Sequence, residues 1–318
     1  MKKLLLTLLA TVFTITSYTQ ISEITTILNS DISQGEKLIT AYFTPMAESF
    51  GANLNNGWYN TAKTHSLGGF DLTFTINTVM IPNSAKTYKI KNEFGGVFTS
   101  ADEEGFTVLG NSETTEMIYT NSATGIPVTF DIDGGLEIPI IPLPMIQAGI
   151  GLIKNTAVDV RYIPMLNIGD EINVNLLGFG IKHDLLQWIP AFGDAIPMSL
   201  SLQAGHTSLS TELEISDQNI SLTTKATTIN LIASKKISIL TGYAGIGYNT
   251  SITTFAANAN FNFDNIVFKE NVEIEFESNK NLRANIGLRL NITLLTIQAD
   301  YTFAEYPTAT LGLGISFR

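Results

Sequence analysis

Three histidines, a stripe of three glutamates, four Gly-x-Gly pairs and one Arg/Asp combination near the C-terminus are the residues whose type and spacing could do chemistry. His65, His183 and His206 form no H-x-x-x-H pair, and no G-x-S-x-G elbow exists to present a nucleophile. His206 and Ser208 could in principle serve as base and nucleophile. However, His206 shares strand parity with Leu200 and Leu202, which puts it on an apolar face. Glu273, Glu275 and Glu277 alternate with Val272, Ile274 and Phe276. Three carboxylates on one face could hold Ca²⁺, and they equally describe the wet side of a hairpin. The pairs Gly149/Gly151, Gly178/Gly180, Gly245/Gly247 and Gly312/Gly314 lack the third glycine of a phosphate loop and read as small residues on one face of strands. With no cysteine, thiolate metal sites and disulfides are excluded. No catalytic residue, metal site or cofactor is expected, and the chain does not read as an enzyme.

Arg289 and Asp300 depend on the strands that carry them. In Leu282 to Arg318, Leu282, Ala284, Ile286, Leu288, Leu290 and Ile292 share one parity, and Arg283, Asn285, Gly287, Arg289 and Asn291 the other. Leu295 to Phe303 and Leu311 to Phe317 repeat the pattern. The polar face carries Gly, Asn, Thr and single charges in place of a Lys/Glu-rich solvated surface. Such dyad segments, apolar outside and polar inside, describe a barrel wall in lipid. Pairing Ile292 with Leu295, and Leu295 with Phe317, keeps the stripes aligned. It places Asp300 between Gly287 and Gly312, and Gln298 between Arg289 and Gly314. Arg289 then lies diagonal to Asp300, within reach of an ion pair inside the lumen.

The expected fold is all-β: a transmembrane antiparallel barrel of about 12 strands, 14 if a hairpin lies within residues 249–281. Residues 1–19, with Lys2-Lys3 before Leu4 to Ala10, read as a signal peptide, cleaved near Thr19-Gln20. No later stretch offers the ~18 apolar residues of a membrane helix. Residues 20–66 follow helical spacing through Ile24, Ile27, Leu28, Leu38, Ile39, Tyr42 and Phe43. Pro45 would open a further turn, and Gly51 with the Asn53–Gly57 cluster would break it. This segment is expected to plug the mouth, with Phe43, Phe50, Trp58 and Tyr59 lining a greasy pocket. Residues 67–318 form the barrel, with strands at 67–80, 86–99 and 126–133. The prolines Pro139, Pro142 and Pro144 argue against a regular central strand and for a stiff connection or a wall kink. Residues 183–190 read as one or two helical turns, with Trp188 at the membrane interface. Counted back from Phe317, short turns fall inside and long loops outside. This count strands the acidic stretch 100–125 on the periplasmic side.

The net charge of −11, falling further once Lys2 and Lys3 are cleaved away, argues against nucleic acid as a partner. Expected partners are outer-membrane lipid, the barrel-assembly machinery through the C-terminal strand, and a hydrophobic small-molecule ligand. The expected location is the outer membrane.

The runs Pro139–Met145, Gln147–Leu152, Val158–Pro164 and His183–Pro190 resemble an uncharacterised outer-membrane barrel family of unknown function. More distantly, the layout is similar to the long-chain fatty acid and aromatic hydrocarbon transporter family, on the signal peptide, the helical segment and Leu67-Gly68-Gly69-Phe70. That resemblance implies an N-terminal hatch and sideways exit of hydrophobic substrates through a strand kink. The function read from all this is passive passage of small hydrophobic molecules. A non-transporting surface barrel that presents residues 249–281 is the alternative, and a lipid hydrolase using His206 a remote one.

Overall fold

The computed structural model describes residues 32–120, 125–168, 172–189, 197–215, 218–263, 266–278 and 282–317. The signal-peptide reading and the periodicity of Ile24 to Leu28 lie outside them. One helix, α1 (Ile32–Asn55), precedes the strands. They run β1 (Phe70–Met80), β2 (Thr87–Lys89), β3 (Phe98–Thr99), β4 (Glu104–Phe106), β5 (Thr115–Thr120), β6 (Pro127–Ile132), β7 (Ile140–Leu152) and β8 (Thr156–Ile168). Then follow β9 (Ile172–Asp184), β10 (Ser199–Ile215), β11 (Gln218–Ile237), β12 (Leu240–Phe263), β13 (Ile266–Glu277), β14 (Leu282–Ile292), β15 (Leu295–Phe303) and β16 (Thr308–Phe317).

The wall is a closed antiparallel barrel of ten strands, in the order β11-β10-β9-β8-β7-β1-β16-β15-β14-β12, with β11 pairing back to β12. An eleventh strand, β13, extends it. The lower part of β12 pairs with β14 from Leu240↔Leu290 to Tyr248↔Leu282, and its upper part with β13 from Ile252↔Glu277 to Phe263↔Ile266. The hairpin expected within residues 249–281 therefore exists, but it stands above the wall and adds no full strand to the circle. The count is also lowered at the other end, because β1 pairs directly with β7 through eleven positions, Phe70↔Ile150 to Met80↔Ile140. Residues 86–99 and 126–133 are not barrel strands. They contribute to two small sheets, β2-β4 and β3-β5-β6, in a cap at the long-loop end. The acidic stretch 100–120 thus belongs to the long connection between β1 and β7, at the end of the barrel opposite the Thr293-Leu294 turn.

Alternation decides the two faces. In β16 the odd positions Leu311, Leu313, Ile315 and Phe317 are exposed, as are Ile286 and Leu288 on β14 and Phe179 on β9. Thr73, Thr75, Asn77, Gln203, Thr207, Thr302 and Thr310 point inward and are buried. A closed circle satisfies its own backbone groups, and its apolar exterior fits hydrocarbon. No helix among the described residues is long and apolar enough to cross a membrane. The β14–β15 register is the expected one, Ile292↔Leu295 through Ala284↔Phe303. The β15–β16 register is shifted by two residues, to Leu295↔Ile315 and Tyr301↔Ala309. Asp300 therefore faces Thr310 in place of Gly312, and Gln298 faces Gly312 in place of Gly314. A two-residue slip leaves every side chain on its own face, so alternation alone cannot exclude it.

Helix α1 runs through Pro45 and Gly51 and stops at the Asn53–Gly57 cluster. Ser49 Oγ donates to the Pro45 carbonyl at 2.7 Å. Gly51 is needed for proximity and does not break the helix: a Cβ there would lie 2.1 Å from Ser251 Oγ on β12. Gly57, at φ +74°, supplies the left-handed residue that turns the chain out of the helix.

Candidate functional site

The N-terminal segment fills the lumen from end to end. The upper part of α1 packs Leu38, Ile39 and Tyr42 against Tyr88, Phe94, Phe98, Val108, Leu109 and Met117 of the cap. Tyr42 fixes the contact, its hydroxyl donating to the Asp133 carbonyl at 3.2 Å and its own carbonyl accepting from the Val108 N–H at 3.1 Å. Lower down, Phe50 and Leu54 meet Leu143, Met145, Ile163, Val174, Leu176, Leu209 and Ala226, inward residues of β7 to β11. Below the helix, Trp58, Tyr59 and Ala62 pack with Ile232 and Tyr243. The four aromatics expected to line one pocket thus fill three separate clusters. Phe43 stacks on Phe255 at 6.4 Å in the upper one, Phe50 lies in the middle one, and Trp58 and Tyr59 lie in the lowest. Phe43, Phe50 and the adjacent pair Trp58-Tyr59 follow one another at steps of seven and eight residues along a segment that runs down the lumen axis, which spreads them over its height.

Two buried arginines on different strands grip the end of the helix. Arg161 of β8 donates from Nη1 to the Leu54 carbonyl at 2.8 Å, from Nη2 to the Asn56 carbonyl at 2.7 Å and from Nε to Gln147 Oε1 at 2.9 Å. Its guanidinium lies 3.7 Å over the Trp58 ring. Arg283 of β14 donates to the Asn55 carbonyl and to Asn56 Oδ1, both at 2.7 Å. The last helical carbonyls have no partners within the helix, and α1 has no basic residue in its last turn. The barrel therefore supplies both the missing donors and the positive charge that favours a helix C-terminus. Trp58 finds room because the wall is glycine there. A Cβ on Gly205 or Gly180 would lie 2.4 or 2.7 Å from the indole.

Arg289 and Asp300 both face the lumen, as strand parity requires, but do not meet. Arg289 Nη1 donates to Asn60 Oδ1 of the plug at 2.6 Å, and Asn60 Nδ2 in turn donates to Gln298. Asp300 accepts from the Tyr243 hydroxyl at 2.8 Å. Salt-bridge contacts form instead at His65–Asp71 and Lys91–Glu103. The plug passes down the lumen and takes the arginine that the wall alone would have left for Asp300. His65, at the foot of the plug, lies 2.5 Å from Asp71 of β1, and Lys182 Nζ donates to the Thr61 carbonyl at 3.3 Å. His206 is exposed on the outer face, bonded to Thr227 at 2.8 Å. Glu273, Glu275 and Glu277 are exposed on β13 while Ile274 and Phe276 are buried. His183 accepts from the indole N–H of exposed Trp188 at 2.8 Å, at a short 3-10 turn between β9 and β10.

The wall carries one seam. Beside β7, the described ladder to β8 covers only Leu152↔Thr156 up to Gln147↔Arg161. Above that point β7 stays paired with β1, and β8 with β9. The prolines explain the asymmetry. Gly151 exchanges backbone bonds with Gly68 and Gly69 ahead of β1, so odd positions of β7 aim their polar groups at β1 and even positions at β8. Pro142 and Pro144 are even and have no N–H to give. The proline run is therefore a strand after all, regular on one edge and blank on the other. On the β8 side a register shift falls between Ile163 and Leu166. Directly behind the seam lie Leu143, Met145 and Ile163 with Phe50 and Leu54 of the plug, the near end of an apolar layer that continues along the inner face to Ala226 of β11.

The chain is similar in fold, at low identity, to solved outer-membrane proteins. The translocator domain of autotransporter NalP from Neisseria meningitidis is 12% identical, over 88% of this chain and 97% of that one, with a TM-score of 0.31. The outer-membrane protease OmpT from Escherichia coli is 11% identical, over 81% and 100%, at 0.31. The Ralstonia pickettii toluene transporter TbuX is 9% identical, over 81% and 91%, at 0.22. No curated protein sequence matches the chain. A family model does match, over residues 1–317, and the chain belongs to that family, a family of unknown function, DUF6588.

Proposed function

We propose that this outer-membrane barrel passes small hydrophobic molecules sideways, through the seam between β7 and β8. The observation that carries the reading is the coincidence of three features at one place: a ladder that stops at Gln147↔Arg161, two prolines whose missing N–H groups face the gap, and an apolar patch behind it. Phe50 and Leu54 occupy that patch, so passage requires α1 to shift. The chain does no covalent chemistry in this reading. It needs lipid outside the wall, and β16 is the strand the assembly machinery engages.

Purified protein in liposomes should admit a hydrophobic fluorescent probe and exclude a polar one of equal size. Restoring the two donors with P142T/P144T should zip the seam and lower the uptake several-fold. Equal uptake by both forms, or none by the native chain, would end the proposal. A second reading, a surface barrel that presents its outer elements to partners, is favoured by the filled lumen, the cap and the β12–β13 hairpin. It expects no probe uptake, and binding that disappears when the hairpin is shortened.

A further inference from the structure

The N-terminal segment traverses the lumen in a single direction. As the segment advances, its partners on the β11–β12 side of the wall descend. Ala47 accepts from Thr253, Gly51 lies against Ser251, Asn55 donates to the Thr250 carbonyl, and Tyr59 lies against Gly245. Ala62 N–H then reaches Ser234, which is paired with Tyr243. At the foot, Ser201 donates to the Ala62 carbonyl and the Gly68 N–H to the Gly151 carbonyl, beside the short turns. At the head, Gln34 lies against Gly95 of the cap. The chain thus enters at the long-loop end, crosses the barrel and only then begins β1.

We infer that the chain is threaded through its own wall, so that the start of α1 is presented on the cell surface, on the same side as the cap. The direction of the helix and the lengths of the connections together give this polarity. The carbonyl end of α1 rests on Arg161 and Arg283, two cations that would repel the opposite, positive end of a reversed helix. Long connections of outer-membrane barrels face the exterior and short turns the periplasm. The longest connection, residues 81–139, lies at the head of the plug, whereas at the foot β7–β8, β11–β12 and β14–β15 turn through two or three residues each and residues 185–198 form the one longer link. The function this adds is self-display. The barrel holds the head of α1 and the cap on the exterior, and the ten wall strands act as the anchor. It does not rest on the seam or on hydrophobic transport.

The chain has no cysteine, so single cysteines report cleanly. Glu36 and Lys37 are exposed at the head, Asp102 is exposed on the cap, and Ser66 and Leu67 are exposed at the foot. In intact cells a membrane-impermeant maleimide should label K37C and E36C as fully as D102C, whereas S66C and L67C should react only after permeabilisation. A short epitope placed directly ahead of Ile32 should be reached by antibody on intact cells. Labelling of D102C without K37C would overturn the inference. So would labelling of S66C on intact cells, or protection of both D102C and K37C until the membrane is opened.

Discussion

Replacing Arg161 with Met tests whether the wall arginines hold the plug. The substitution preserves most of the side-chain volume and removes a fully buried guanidinium that bonds Leu54, Asn56 and Gln147 and covers Trp58. Three charge-assisted bonds are worth about 1.5–3 kcal/mol each. The arginine gives back part of that gain, because burying its charge is itself expensive. Removing one member of such a buried network typically costs about 3–5 kcal/mol. At 1.4 kcal/mol per decade, the plug should open roughly 10²- to 4 × 10³-fold more often. Amide hydrogen exchange in micelles reads this locally. Peptides from residues 38–55 should exchange faster by that factor, while peptides from β14 to β16 should keep their native rates. Arg161→Lys should fall between the two, since one ammonium cannot serve carbonyls and Gln147 together. Unchanged exchange in α1 would refute the clamp. Acceleration of plug and wall in parallel would show that Arg161 supports the barrel and not the plug.

Gly205→Ala drives a methyl into the Trp58 seat and should cost the plug about 1–3 kcal/mol. In a Trp188→Phe background the remaining indole emission should shift to the red. An unmoved spectrum would mean that the seat yields freely. In the cap region, burial raises the phenols of Tyr88 and Tyr306 well above their usual value, and for Tyr306 the neighbouring Glu48 carboxylate adds to this. Their contribution is complete below about pH 10, where the unfolded phenol begins to ionise, and is lost as pH climbs beyond it. Thermal unfolding followed by near-UV dichroism should therefore weaken above about pH 10, and less so for Tyr306→Phe. Identical alkaline profiles would remove Tyr306 from that account. Arg283→Met should loosen the same helix end as Arg161→Met. The double variant should lose less than the sum of the two, since both bond Asn56.

The strand faces were legible because alternation is a local property. Arg289 could be placed inward, and the β14–β15 pairing fixed, through a turn of two residues, Thr293 and Leu294. Across residues 304–307 the same logic allowed a slip of two. Two of the expected strands were lost for a different reason: Lys86 to Thr99 keeps only Thr87–Lys89 and Phe98–Thr99 as strand, and Ile126 to Asp133 alternates because it belongs to a small sheet of its own. Alternation does not reveal which sheet a strand joins. The arginine clamp was half visible. Asp159 and Arg161 share the inward parity of Ala157, and charges inside a wall require partners. That the partners are the carbonyls of Leu54, Asn55 and Asn56 is a long-range fact, since nothing near Arg161 in sequence encodes a helix end. Likewise, Gly178, Gly180 and Gly205 could be read as small inward residues, but the indole they accommodate comes from far upstream.

The foot of the plug is joined to β1 through residues 66–69, of which Ser66, Leu67 and Gly68 are exposed, and this is the only covalent connection between the plug and the ring of strands. A single proteolytic nick there would leave every wall hydrogen bond intact and turn the plug into a bound peptide. From then on the escape of that peptide would be an ordinary dissociation rate, open to competition by added copies of residues 32–66.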